Sequence, residues 1–187
     1  AKPGKEILRV ENVCVKSKIH HNDSVHNVSF NVREGEIVCI AGIDGNGQTE
    51  FIGALTGIDD ISGGKILFQG DDITHKPIRY KNTHGMSHVP EDRHKHGLVL
   101  DYTLEENMIL QRYFEPEFSK HGFIKKAAMR TYSDRLTEAF DVRSGQGAQT
   151  IARSMSGGNQ QKAIIAREMD REHKLLVAVQ PTRGLDV

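Results

Sequence analysis

The sequence lacks features that would indicate several classes of protein. Its 25 lysines and arginines are balanced by 25 acidic residues, so no surplus of positive charge can neutralise a nucleic-acid backbone, and nucleic acid is not expected as a partner. The longest apolar run, residues 37–43, is far shorter than the roughly 18 residues that cross a bilayer. No apolar segment follows residues 1–6, so we expect no secretory signal.

Cysteine is also scarce. Cys14 and Cys39 are too few for a disulfide framework, and we expect a reduced, cytoplasmic setting. A composition of 37% hydrophobic and 27% charged residues is typical of folded proteins rather than disordered ones. The length of 187 residues fits one domain with an inserted lobe.

Apolar periodicity predicts a β-rich N-terminal third. Residues 7–15, 28–32 and 64–68 alternate between apolar and polar side chains, which indicates strands of a half-exposed sheet. Residues 36–41, which are apolar from Ile37 onward, predict a buried strand. A glycine-rich loop and a helix over 48–55 follow this run.

The second half has a helical pattern. Residues 104–113 and 124–140 predict helices of a lobe that covers 102–151. A further helix is predicted over 159–169, and the run 175–179 predicts a buried strand. An apolar stripe lies on one face of the helix at 159–169: Ala163, Ala166 and Met169.

The glycine-rich loop matches part of a phosphate-binding pattern. In G-x-x-x-x-G-K-[ST], the glycine spacing and the final threonine fit, whereas Gln48 replaces the lysine. Backbone N–H groups of such a loop, with the N-terminus of the next helix, can hold phosphate. An ordinary strand-to-helix turn remains the alternative. The candidate phosphate-binding residues are Gly42, Asp44, Gly45, Asn46, Gly47, Gln48 and Thr49, and Thr49 is also the candidate metal ligand.

A second motif, residues 155–161, resembles the LSGGQ signature of ABC transporter ATPases. The resemblance implies that this segment grips the γ-phosphate of an ATP bound to a partner cassette. Arg167 and Pro181 also stand where the family places an arginine and a proline. Ser156 as a plain helix N-cap is the alternative. The candidate signature residues are Ser156, Gly157, Gly158 and Asn159.

Two further segments agree with this resemblance. Residues 181–186 are similar to the segment that leads into the family's D-loop, with Asp186 as its aspartate. Residues 89–93 occupy the Q-loop position, with Glu91 where glutamine is usual, and resemble the PEDR form of importers of simple sugars and nucleosides.

The resemblance implies an α/β fold: a P-loop NTPase of ABC ATPase type, with an N-terminal antiparallel β-subdomain and an inserted α-helical subdomain. We expect residues 1–97 to form the β-subdomain and phosphate-loop part of the core, and residues 98–152 to form the helical subdomain. Residues 153–187 would supply the signature helix, the Walker B strand and the D-loop.

Several substitutions depart from an active ATPase of this family. Gln48 carries no charge to offset the phosphates, so we expect ATP and Mg²⁺ to bind weakly. Val179 stands at the Walker B aspartate position and Gln180 at the catalytic glutamate position, so no catalytic residue is assigned. The resemblance therefore implies a degenerate second cassette that donates its signature to a partner. Since the sequence stops at Val187, before the family's switch histidine, we also expect C-terminal truncation.

The resemblance also implies partners and a location. We expect a second ABC cassette in the same full-length chain, transmembrane permease subunits and, indirectly, an extracellular substrate-binding protein. The protein would lie on the cytoplasmic face of the membrane as a peripheral subunit. A permease helix would enter a groove near Glu91 and Tyr102.

Three alternatives remain open. A non-transport ABC-type ATPase and a catalytically silent interaction domain would both fit the motifs. A metal site would use histidines, although without the cysteine or histidine pairs of structural zinc sites. The histidines in question are His20, His21, His26, His84, His88, His94 and His96.

Overall fold

The computed structural model describes residues 2–17, 22–43 and 45–185. The chain forms two compact units, Ala1–Met86 and Ser87–Val187. Among the described residues, no helix is long and apolar enough to cross a membrane.

The first unit contains a four-stranded antiparallel sheet in the order β2-β1-β3-β4. The alternating residues of β1 point in turn to the core and to solvent, and Val10 pairs with Phe30 on one side and with Ile66 on the other. The three strands predicted in the N-terminal third are therefore confirmed. The strands are β1 (Glu6–Lys16), β2 (Asp23–Arg33), β3 (Gly63–Phe68) and β4 (Asp71–Asp72).

The first unit also contains two helices, α1 (Gln48–Thr56) and α2 (Ile78–Thr83). Lys81 of α2 is buried, and its ammonium donates hydrogen bonds to the carbonyl oxygens of Ala54 (3.3 Å) and Leu55 (3.0 Å). A cation is favourable there because the C-terminal end of α1 carries negative partial charge. Burial lowers the pKa of Lys81 to about 8. Lys81 therefore links α2 to the C-terminal end of α1 through two hydrogen bonds.

The second unit pairs two strands and surrounds them with helices. Strand β5 (Met86–Val89) pairs with strand β8 (Leu175–Ala178), and the signature helix α5 (Gly157–Asp170) is 14 residues long. The elements are β5 (Met86–Val89), a π-helix (Arg93–Gly97), α3 (Leu104–Met108), β6 (Ser119–Lys120), β7 (Phe123–Ile124), α4 (Lys126–Ala139), two 3₁₀ turns (Gly147–Gln149 and Ala152–Ser154), α5 (Gly157–Asp170) and β8 (Leu175–Ala178).

Side chains of α3, α4 and α5 pack in one hydrophobic cluster within this unit. Helix α3 begins with a capping box in which Thr103 and Glu106 bond to each other's backbone N–H groups. The predicted helix over 104–113 is too long, because the chain leaves helical geometry at Ile109 and turns so that Phe118 enters the core. There the Phe118 ring packs edge-on against Tyr132, with 5.0 Å between centroids.

The prediction of a buried strand over 36–41 is wrong. Residues 36–43 have no regular structure, and Ile37 is 98% exposed and Ile43 74%. Cys39 is exposed as well. Among the described residues no strand pairs with this segment, so its apolar side chains have no neighbour that would cover them.

Two smaller predictions of burial are also wrong in part. Met169 is 43% exposed although Ala163 and Ala166 of the same stripe are buried, because Met169 lies in the last turn of α5. In β8, Val177 is buried while Ala178 is exposed. This strand pairs only with β5 among the described residues, which leaves part of it uncovered.

Candidate functional site

The glycine-rich loop leads into α1 with the geometry of an anion cradle. Gly47 is the N-cap and has φ of 81°, and a Cβ there would lie 3.0 Å from the carbonyl carbon of Ser24. Gly45 also has positive φ, and a Cβ there would have no described atom within 4 Å. Gly47 has no side chain that could cap α1, and the N-terminus of a helix is suited to an oxygen-rich anion. Asp44 lies outside the described residues.

The side chain of Gln48 lies beside Gly42, at the other end of this loop. A Cβ on Gly42 would lie 3.2 Å from Cδ of Gln48, so the glutamine amide folds back above the first glycine. An amide can donate a hydrogen bond to phosphate but supplies no positive charge. Thr49 follows in the first turn of α1. The loop therefore fits a phosphate group, with a weaker electrostatic attraction than a lysine would give.

The signature residues lie at the start of α5. Ser156 is the N-cap, and its Oγ accepts hydrogen bonds from the Asn159 backbone N–H (3.4 Å) and from Nδ2 of Asn159 (2.9 Å). Ser156 therefore caps the helix, which is compatible with either interpretation of this residue, and Gly157 and Gly158 belong to the first helical turn rather than to a loop. Ser156 is exposed, and its hydroxyl proton can still be donated to a ligand.

The segment before the predicted D-loop lies against the same helical turn. Nε2 of the buried Gln161 donates a hydrogen bond to the carbonyl oxygen of Pro181 at 3.0 Å. A Cβ on Gly158 would lie 2.9 Å from the carbonyl oxygen of Gly184. Glycine at 158 is therefore required for this close approach. Asp186 lies outside the described residues.

A buried ionic cluster anchors the signature helix. The carboxylate of Glu168, which is fully buried, accepts hydrogen bonds from Nε of Arg167 (3.0 Å), Nη1 of Arg171 (3.4 Å) and Nε2 of Gln111 (2.8 Å). It also accepts one from the backbone N–H of His88 in β5 at 3.3 Å. The cluster thus joins α5 to β5 and to the turn after α3. Sequence reasoning placed Arg167 in the family pattern but missed Glu168, which no spacing distinguishes from a surface glutamate.

His88 borders this cluster and is neutral at physiological pH. Burial lowers its pKa to about 4 although the Glu168 carboxylate opposes that shift, and its Nε2 has no hydrogen-bond partner among the described residues. Sequence reasoning considered His88 only as a metal ligand and missed its partly buried position beside Glu168.

The residues at the Walker B positions follow β8. The backbone N–H of Val179 donates to the carbonyl oxygen of Val89 at 3.0 Å, so β5 and β8 end side by side. Gln180 comes next, is exposed and has φ of 45°. Glu91, at the Q-loop position, follows the end of β5 and is partly buried. The structure therefore brings positions 91 and 180 to neighbouring strand ends.

The histidines have other interactions. No group of three or more His, Cys, Asp or Glu residues suited to a metal ion occurs within 2–17, 22–43 and 45–185. The His84 ring stacks on Tyr80 with 3.8 Å between centroids, and Nε2 of His94 is 3.0 Å from Oε1 of Gln160. His20 and His21 lie outside the described residues.

Comparison of the sequence with protein families gives a match to the family described as ABC transporter over residues 25–183. A nucleoside import ATP-binding protein of Lactococcus lactis is 47% identical over all 187 residues, which are 37% of that protein. A guanosine import ATP-binding protein of Bacillus subtilis is 46% identical over 100% of this chain and 36% of its own length. A ribose import ATP-binding protein of Oceanobacillus iheyensis is 35% identical over 98% of this chain and 35% of its own. The chain spans little more than a third of these relatives.

Solved structures share the fold. The dimeric structure of MJ0796, described as a bacterial ABC transporter cassette, superimposes with a TM-score of 0.77 at 21% identity and covers 96% of this chain and 76% of that one. A second dimeric structure of the same cassette, bound to ADP and Pi, gives a TM-score of 0.76 at 22% identity over 96% of this chain and 76% of that one.

Proposed function

The chain belongs to the ABC transporter family and has the fold of an ABC ATPase cassette, and from this premise we propose that it is a degenerate second cassette of an importer for simple sugars or nucleosides. In this proposal its own site binds Mg-ATP weakly. Its signature residues complete the ATP site of a partner cassette. The relatives named for nucleoside, guanosine and ribose import support this class of importer.

The contrast between the two motifs carries the proposal. At the start of α5 the exposed Ser156 has a hydroxyl proton to donate, and two glycines occupy the first turn. At the start of α1 the residue in the lysine position is the neutral Gln48. The serine and the two glycines of the signature are therefore retained, while the groups for the chain's own nucleotide are reduced.

ATP and Mg²⁺ fit the first unit through the phosphate loop. The bound metal would offset phosphate charge, and the Thr49 hydroxyl is the protein ligand that we assign to it. Gly45, Gly47 and the first N–H groups of α1 would contact phosphate oxygens. The carboxylates that usually hold the metal and activate water are replaced by Val179 and Gln180, and neither of these two side chains can act as a general base.

The wider assembly follows from the same proposal. The partner cassette would be part of the same full-length chain, and Asp186 would communicate between the two cassettes. Permease subunits would dock beside Glu91 and Tyr102, which is 47% exposed. The extracellular substrate-binding protein would act only through the permease. The protein would be peripheral on the cytoplasmic membrane face, with subdomain limits at residues 97 and 152.

Calorimetric titration with Mg-ATP, with phosphate release followed on the same sample, tests the chain's own site. We expect weak binding without turnover, because the neutral Gln48 amide supplies no charge and Gln180 cannot accept a proton. Turnover above background would contradict the degenerate site. Tight ATP or ADP binding would exclude a silent interaction domain, whereas complete absence of binding would favour one.

Two substitutions in the transport complex test the donated signature. Ser156→Arg should abolish transport because it blocks the partner's ATP site, whereas Gln48→Ala should cause less damage because it alters only the weak site. Ser154→Arg is the matched control, since Ser154 is also exposed and lies two residues earlier. Equal loss of transport from Ser156→Arg and Gln48→Ala would contradict the division of roles.

A further inference from the structure

Residues 92–97, a π-helix with its N-cap, follow the Q-loop position. The Asp92 carboxylate caps the π-helix by accepting hydrogen bonds from the backbone N–H groups of His94 (2.9 Å) and Lys95 (3.0 Å). The hydrogen bond from Lys95 is the main cause that lowers the pKa of Asp92, so this cap stays ionised. The orientation of Arg93, the first residue of the π-helix, is therefore set locally.

This element packs along one face of the signature helix. Nε2 of His94 is 3.0 Å from Oε1 of Gln160, and a Cβ on Gly97 would lie 2.5 Å from Cδ1 of Ile164. Arg93 contacts the same face one turn earlier, at Gly157. Positions 157, 160 and 164 are neighbours on a helix surface, so the π-helix contacts successive turns of α5.

The Arg93 guanidinium lies between two glycines of different segments. A Cβ on Gly157 would lie 2.6 Å from Nη2, and a Cβ on Gly184 would lie 3.4 Å from Nη1. Its Nε is buried and has no hydrogen-bond partner among the described residues. The planar guanidinium therefore lies between the signature turn and the segment 181–184. This space exists because Gly157 and Gly184 have no side chains.

Helix stability does not account for a cation at this position. The N-terminus of α5 carries positive partial charge, so a cation beside it is unfavourable for the helix. Of the described carboxylates, none forms an ion pair with Arg93 at 4.0 Å or less. The helix dipole and ion pairing therefore do not explain an arginine here, and the remaining observation is its contact with both glycines.

We propose that Arg93 is a positioning residue that holds the signature turn at Gly157 and the segment at Gly184 in the arrangement that closes on a partner's ATP. Through the π-helix it would couple the Q-loop position, Glu91, to the signature helix. This inference rests on the proposed function, because the signature acts on a nucleotide held by another cassette.

The test measures ATP hydrolysis by the full-length transport complex with Arg93→Met and Arg93→Lys. We expect kcat to fall by about tenfold to a hundredfold in both variants, since displacement of a positioned group by about 1 Å has an effect of this size. KM for ATP should stay within about twofold, because the partner's phosphate loop makes the initial contacts. Lys95→Met, on the same π-helix, is the matched control for loss of charge and should leave both constants unchanged.

The outcomes separate this inference from the proposed function. If Arg93→Met keeps the wild-type kcat while Ser156→Arg, tested separately, inactivates the complex, only the role of Arg93 is overturned. Full activity of Ser156→Arg would overturn the proposed function itself. Arg93→Lys keeps the charge and most of the aliphatic stem, so it carries the test if Arg93→Met fails to fold. Full rescue by lysine would show that charge suffices and would refute positioning by the planar group.

Discussion

Replacing Glu168 with alanine removes the carboxylate at the centre of the buried cluster in the second unit. Glu168 is 0% exposed, and Arg167 beside it is 1% exposed. The substitution leaves the guanidinium groups of Arg167 and Arg171 in the interior without the carboxylate that accepts their hydrogen bonds. Burial already lowers the pKa of Arg171, which shows that its surroundings disfavour charge.

The expected effect is large. Removing one partner of a buried ion pair costs about 3–5 kcal/mol, because the other charge remains buried and unpaired. For a chain of this size, 1 kcal/mol shifts the melting temperature by about 2–4 °C, so Glu168→Ala should lower it by about 10 °C. Glu168→Gln should lower it less, since the amide oxygen still accepts a hydrogen bond.

Urea and thermal unfolding followed by circular dichroism at constant pH provide the assay. Glu172→Ala is the matched control, because the Glu172 side chain is 90% exposed and its ion pair with Lys174 is long at 3.6 Å. It should leave the unfolding midpoint unchanged. A loss below about 1 kcal/mol in Glu168→Ala would refute the reasoning, since it would mean that water or rearrangement compensates the two guanidinium groups.

Two further predictions concern His88 and the signature glycines. The pKa of His88 is about 4 in the folded state and about 6.5 in the unfolded state, so between these values the unfolded state binds one more proton. The free energy of unfolding should therefore fall by up to about 3 kcal/mol as the pH drops from 6.5 to 4. Urea titrations across this range should show that His88→Gln removes that part of the slope, and an unchanged slope would contradict the assignment. Gly158→Ala should destabilise the chain by about 1–3 kcal/mol because its Cβ meets the backbone oxygen of Gly184, whereas Gly157→Ala should destabilise it less, because its Cβ displaces the Arg93 guanidinium and no backbone atom. Equal unfolding midpoints for the two glycine variants would show that the contact with Gly184 is not tight.

The local sequence pattern was sufficient to predict structure where that structure depends on a single strand or helix. Alternation of apolar and polar residues predicted β1 and β3, because each strand has one covered face and one face toward solvent. The glycine spacing before α1 predicted its start, and the Ser-Gly-Gly run predicted the start of α5 to within two residues, since Gly157 and Gly158 themselves belong to the helix.

Long-range packing decided the rest. The apolar run 36–41 has the composition of a buried strand, yet it is exposed because burial requires a neighbouring strand and no described strand pairs with it. Glu168 and His88 are 80 residues apart in sequence, and only the pairing and packing of their elements brings them together. The sequence by itself determined the family motifs and the substitutions within them, because these depend on residue type and short spacing. Only the tertiary structure placed Arg93 between two glycines that are 27 residues apart, because contact between distant segments depends on how whole elements pack.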